Sequence, residues 1–166
     1  MDKDLSIAAF VFSLFAMLLV ILGFIVLLAR DAFSQDYNSW ETRCSQYRET
    51  VEDILKSESV STDYYYLMVA ESRCTIGAKS HKGAQGFWQL MPNTGRHYGC
   101  TDLFNLECST RAAARYIRHL QTSFRKFDDV IIAYNMGGHN YRRAGATKEA
   151  IGLLFLVKRL KQEDQQ

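Results

Sequence analysis

The sequence has a single proline, Pro92, among 166 residues. Its turns must therefore be made by Gly, Asn and Asp. It has no dense run of Lys or Arg, and its net charge is only +2. The electrostatic footprint of a nucleic-acid binder is missing, and no nucleic-acid partner is expected. It has no C-x-x-C pair and no ligand spacing among its His residues. A zinc site is not expected, and nothing calls for another metal or a cofactor. Low-complexity segments and internal repeats are absent too, which leaves one domain plus an appendage.

The appendage is the segment with no charge at all. Leu5–Ala29 contains only uncharged residues, dominated by Leu, Ile, Val, Phe and Ala. As a helix it would rise about 37 Å, enough to cross a hydrocarbon core of about 30 Å with some tilt. It is apolar on all faces, which favours a lipid span over a core helix. A cleaved signal peptide fits less well. Met1-Asp2-Lys3-Asp4 is not net basic, the apolar run is too long, and Leu28-Ala29-Arg30-Asp31-Ala32 is a poor cleavage site. The reading is an uncleaved transmembrane anchor over 1–30, a connecting amphipathic helix over 31–60, and a folded domain over 61–166. Charge leaves the orientation open, because Lys3 and Arg30 flank opposite ends.

All four cysteines, Cys44, Cys74, Cys100 and Cys108, lie beyond the anchor. An even count suits an oxidising compartment. Cys100 and Cys108 flank a short loop that a disulfide would clip, leaving Cys44 and Cys74 as the second pair. Four reduced, partly buried thiols are the alternative.

In order, the periodicity predicts helices over Asp36–Ser57, Asp63–Ser72, Pro92–Tyr98, Glu107–Phe124, Val130–Met136 and Thr147–Lys161. Ser61 or Thr62 caps the second, and Gly137-Gly138 ends the fifth. Arg73–Gly86 reads as a loop and Phe87–Leu90 as a short strand or extended rung. In the last helix Ala150, Leu153, Leu154, Val157 and Leu160 form the buried stripe. Ile151, Phe155 and Leu156 widen it, and read as core rather than membrane or partner contacts. The final Q-E-D-Q-Q reads as a frayed tail. The fold class is mainly α with at most a small β element.

One stretch concentrates the chemistry: Leu67–Pro92, L-M-V-A-E-S-R-C-T-I-G-A-K-S-H-K-G-A-Q-G-F-W-Q-L-M-P. An apolar helix ends in Glu71 at the mouth of a Gly-rich loop, and a stiff aromatic and amide segment follows. The helix dipole disfavours a negative charge at that end, and apolar surroundings do the same. Both effects keep Glu71 protonated near neutral pH, with a pKa raised to roughly 6 by analogy with buried catalytic acids. In isolation such a Glu is an ordinary solvated residue.

The run E-S, A-K-S, G-A-Q-G and Q-L-M-P, followed by Ala133-Tyr134-Asn135-Met136-Gly137, resembles the motifs of the lytic transglycosylase family of the soluble (SLT) type. Those are lysozyme-like enzymes that cut peptidoglycan glycan strands, and the likeness covers about Thr62–Arg143. The resemblance implies a lyase in which Glu71 protonates the β-1,4 glycosidic oxygen between MurNAc and GlcNAc. The same residue then deprotonates the 6-hydroxyl, closing a 1,6-anhydro ring. A second carboxylate is not required, and none occurs within the matched motifs.

By the same likeness Tyr134 orients Glu71, and Ser80, Gln89, Met91, Ala133 and Asn135 contact the glycan. Asn135 serves equally well as a helix-end cap. Phe87-Trp88 stands where Leu-Met is common, Cys74 where an aromatic is usual, and Met136 where the motif has a small residue. Trp88 either stacks on a sugar or plugs the core. The expected location is a single-pass inner membrane with the C-terminal domain in the periplasm, or a virion membrane. A goose-type lysozyme-like hydrolase and a non-catalytic peptidoglycan-binding module of an envelope assembly are the competing readings.

Overall fold

A computed structural model describes the backbone of residues 3–166 and the side chains of residues 16–28 and 40–166. Two compact units are present, Met1–Trp40 and Glu41–Gln166. Helix α1 covers Lys3–Ser57. Of the expected anchor, the side chains at 5–15 and at 29 lie outside the described residues. Those from Met17 to Leu22 and from Phe24 to Leu28 are exposed around the whole helix. Among the described residues no helix is long and apolar enough to cross a membrane.

The second unit is built from helices. After the α1 residues that fall within it comes a 3-10 turn, Thr62–Tyr64, then α2, Tyr65–Ser72. The series continues with α3, Pro92–His97; α4, Leu106–Gln121; α5, Phe127–Met136; α6, Gly138–Ala144; and α7, Lys148–Glu163. Helix α2 is the hub, with Leu67 and Met68 wholly buried. It packs on α7, which also packs on α5. Val51, Leu55, Tyr64, Ile117, Ile131 and Val157 complete the centre of the core.

Local chemistry sets the boundaries. Ser61 caps the 3-10 turn by accepting from the Asp63 N–H at 3.2 Å. Asn105 caps α4 by accepting from the Cys108 N–H at 2.9 Å. Thr147 does the same for α7 through the Ala150 N–H. Pro92 sits in the first turn of α3, where its missing N–H costs nothing. Both cysteine pairs, Cys44–Cys74 and Cys100–Cys108, are disulfide-bonded.

Four expectations change. No strand forms among the described residues. Residues 86–89 make a turn closed by the Gln85 N–H donating to the Leu90 carbonyl at 2.9 Å, with isolated bridges at its base. Gly138 does not terminate the helical chain. The break falls at Gly137 alone, whose φ of +80° ends α5, and Gly138 opens α6. On α7 the residues Ile151, Phe155 and Leu156 are exposed rather than core. The carboxyl-terminal segment is tied down at Asp164, whose carboxylate accepts from Arg48 at 2.8 Å and from the Tyr66 hydroxyl at 2.6 Å.

Candidate active site

Glu71 occupies the last turn of α2. That short helix stops because Arg73 adopts a left-handed conformation, φ +47°, and Cys74 follows at φ +54°. The Arg73 N–H closes the helix on the Val69 carbonyl at 2.8 Å. The Cys44–Cys74 disulfide then fixes the chain three residues beyond the acid to α1. A buried helix and a covalent tie therefore hold Glu71 from both sides.

The loop that follows is shaped by one glycine above all. A Cβ on Gly86 would lie 1.7 Å from the Leu103 carbonyl oxygen, and its φ is +73°. Only glycine fits there. The turn then forces Gln89 into a left-handed backbone, φ +45°, an uncommon conformation for a residue with a side chain. Its amide NH2 donates to the Gly86 carbonyl at 2.8 Å and to the Ala78 carbonyl at 3.2 Å. The Gln89 side-chain oxygen remains as an acceptor. Trp88 is fully buried, and its indole N–H donates to the Thr110 hydroxyl at 2.9 Å. It plugs the core and does not offer a face to a sugar.

These elements enclose a cleft of about 320 Å³. Glu71, Ser80, Gln89, Met91, Tyr134 and Asn135 all line it. Ala133 does not. It is wholly buried behind the wall. Ser80 is turned inward locally, its hydroxyl accepting the Ala84 N–H at 3.0 Å. Met91 is about half exposed on the cleft floor.

Glu71 is half-buried, and no hydrogen bond reaches its carboxyl among the described residues. Burial, and secondarily the negative charge of Glu149, push its pKa up to about 8. That is higher than the sequence-based expectation, chiefly because the carboxyl is so deeply desolvated, with the second acid adding to it. Tyr134 is buried, and its hydroxyl donates to the Trp88 carbonyl at 2.8 Å. Burial, and then the charge of Glu71, raise its pKa well above the usual phenol range. Tyr134 therefore stays neutral, with its proton committed to the backbone.

Sequence reasoning missed Lys82, Thr94, Tyr116 and Glu149, which also line the cleft. Glu149 lies in the first turn of α7, far from the motif region, and Lys82 donates to both its oxygens at 2.8 and 3.1 Å. Its position reads as an ordinary helix-start acid, so only the fold discloses that it shares a cavity with Glu71.

A transglycosylase SLT domain matches residues 51–152. Two curated proteins, both named membrane-bound lytic murein transglycosylase D, come from Escherichia coli strain K12 and Escherichia coli O6:H1. Each is 28% identical over 120 residues, covering 66% of this chain but only 26% of the relative. This chain thus spans about a quarter of the length of those relatives. An X-ray structure of an inactive mutant of the lytic transglycosylase Slt from Pseudomonas aeruginosa superposes with a TM-score of 0.52 at 22% identity. That likeness covers 67% of this chain and 20% of that one. It is a likeness of fold. The domain match takes in the Glu71 helix, the Gly86 turn, the Tyr134 helix and the start of α7 carrying Glu149, and on it the chain belongs to the transglycosylase SLT family.

Proposed function

We propose that this protein is a membrane-anchored peptidoglycan lytic transglycosylase that cleaves the MurNAc–GlcNAc β-1,4 bond with Glu71 as its acid and base. The observation that carries the reading is a half-buried carboxyl, held protonated at neutral pH, in a cleft lined by hydroxyl and amide groups. A general acid works best when its pKa lies near the working pH. Glu71 donates its proton to the glycosidic oxygen and, as carboxylate, takes one from the 6-hydroxyl of the same muramyl residue. The bond that closes is the 1,6-anhydro bridge, and no water is consumed. Neither step calls for a metal.

Tyr134 orients the acid. Its hydroxyl proton goes to the Trp88 carbonyl, so its oxygen is free to accept from a protonated Glu71 that turns toward it when substrate enters. Ser80, Gln89 and Asn135 meet polar groups of the strand, and Met91 supplies an apolar floor. The uncharged run Leu5–Ala29 anchors the chain, with the folded unit in the periplasm or on the outer side of a virion membrane.

Glu149 favours a second reading, a hydrolytic muramidase, because paired carboxylates are the usual glycosidase arrangement. Its ion pair with Lys82 opposes this by occupying both of its oxygens. Purified sacculi decide between them. The Glu71→Gln variant is expected to lose at least about a thousandfold in rate, and Glu149→Gln to keep most of it. Full loss in Glu149→Gln would favour the hydrolytic reading, and an active Glu71→Gln would remove the catalytic assignment.

A further inference from the structure

Beside the cleft lies a second recess of about 470 Å³, walled by His97, Tyr98, Gly99, Arg115, Arg118 and His119. Two elements contribute side chains to both sites. The chain at α3 places Thr94 in the cleft and His97 and Tyr98 in the recess. Helix α4 places Tyr116 in the cleft, and Arg115, Arg118 and His119 in the recess. Tilted rings in contact connect the two. Tyr98 lies 5.3 Å from Tyr116, and Tyr116 lies 5.2 Å from Tyr134 beside Glu71.

The recess carries surplus positive charge. Arg115 and Arg118 share a single carboxylate, Glu58, at 3.1 and 3.4 Å. Glu58 is mostly buried, with 13% of its side chain exposed, whereas the two arginines are 42% and 51% exposed. One guanidinium charge is thus left uncompensated next to solvent, with two imidazoles at the rim. Arg115 is built into place: its Nη1 donates to the Tyr98 carbonyl at 3.2 Å. A Cβ on Gly99 would come within 2.9 Å of that same nitrogen. Arg118 is the more exposed of the two, and its Nη1 donates to the Glu58 carbonyl at 2.9 Å. Guanidinium forks beside aromatic faces suit planar carboxylates.

We infer that this recess is a subsite for the carboxylates of the peptide stems carried by a glycan strand lying in the adjoining cleft. The inference rests on the cleft being a glycan site, as proposed above. It gives the enzyme a preference for strands that still bear their peptides.

The test compares kcat/KM on intact sacculi with kcat/KM on the same strands stripped by an amidase, in which only the lactyl carboxylates remain. For full-length Arg118→Gln the ratio of the two is expected to fall about tenfold relative to the parent, with only part of it restored in Arg118→Lys, which keeps the charge but not the fork. An unchanged ratio overturns the subsite. An equal loss on both substrates also overturns it, since the arginine would then serve the fold or the glycan itself. His119→Gln supplies a second ratio should Arg118→Gln lower the thermal midpoint, and an unchanged ratio there overturns the proposal equally. If the parent cleaves neither substrate, the transglycosylase reading fails, a result distinct from failure of the subsite.

Discussion

Glu71 carries two linked consequences of its burial. As an acid it works while protonated, so activity is expected to hold below its pKa and fall as the pH rises through about 8. Glu149 raises that pKa, and Lys82 partly neutralises Glu149. Removing the negative charge in Glu149→Gln should move the alkaline limb of the pH profile to lower pH. Lys82→Ala should move it higher. Each shift should stay under about one unit, since burial is the larger cause. Rate profiles that do not move in opposite directions would contradict this.

The same burial acts on stability. The folded state holds the Glu71 proton more tightly than the unfolded chain, whose carboxyl titrates near 4.5. Its contribution is therefore complete below pH 4.5 and is lost as the pH rises through about 8. Glu71→Gln cannot ionise, so its thermal midpoint should gain on the parent across that window and then level off. A gap independent of pH would refute the argument. At this scale the sequence displayed Glu71 through its neighbours, because an acid after an apolar helix and before a glycine-rich loop is a local pattern. Glu149 was invisible, because its role depends on where α7 packs.

At the scale of elements, the site depends on a helix of eight residues. So short a helix is marginal by propensity and holds through packing and the Cys44–Cys74 bond. That bond spans 30 residues, a loop for which chain entropy assigns about 3–4 kcal/mol. The double variant Cys44→Ser with Cys74→Ser should lose about that much in urea unfolding and should also lose activity, because the chain after Glu71 is released. A loss below about 1 kcal/mol would show that packing alone suffices.

Most helix positions are legible because apolar spacing and caps are local signals, whereas α6, with no buried residue, carries no such signal. Ser61 and Pro92 mark two of the starts. What was not legible followed from contacts between distant residues. The sequence of Phe87–Leu90 suits a short strand or extended rung, yet the Gly86 approach to Leu103 and the Trp88 bond to Thr110 bend the chain into a turn instead. Ala133 sits in the motif, yet helix geometry turns it to the core while Tyr134 and Asn135 face the cleft. The polar carboxyl-terminal tail carries no local signal of order, and it is Arg48 and Tyr66, from two other helices, that hold Asp164.

At the scale of the whole molecule, one compact unit, Glu41–Gln166, contains the cleft, the basic recess and both disulfides. A fragment beginning at Glu41 should therefore stay in the supernatant and cleave sacculi. The full chain should sediment with membranes through Leu5–Ala29. A full-length chain found in the supernatant would contradict the anchor. The central claim, however, concerns which bond replaces the one that is cut. Mass spectrometry of the products released from purified sacculi measures this directly. The account predicts muramyl ends that carry the 1,6-anhydro ring and are lighter by one water than reducing ends. Reducing ends from the active parent protein would contradict it.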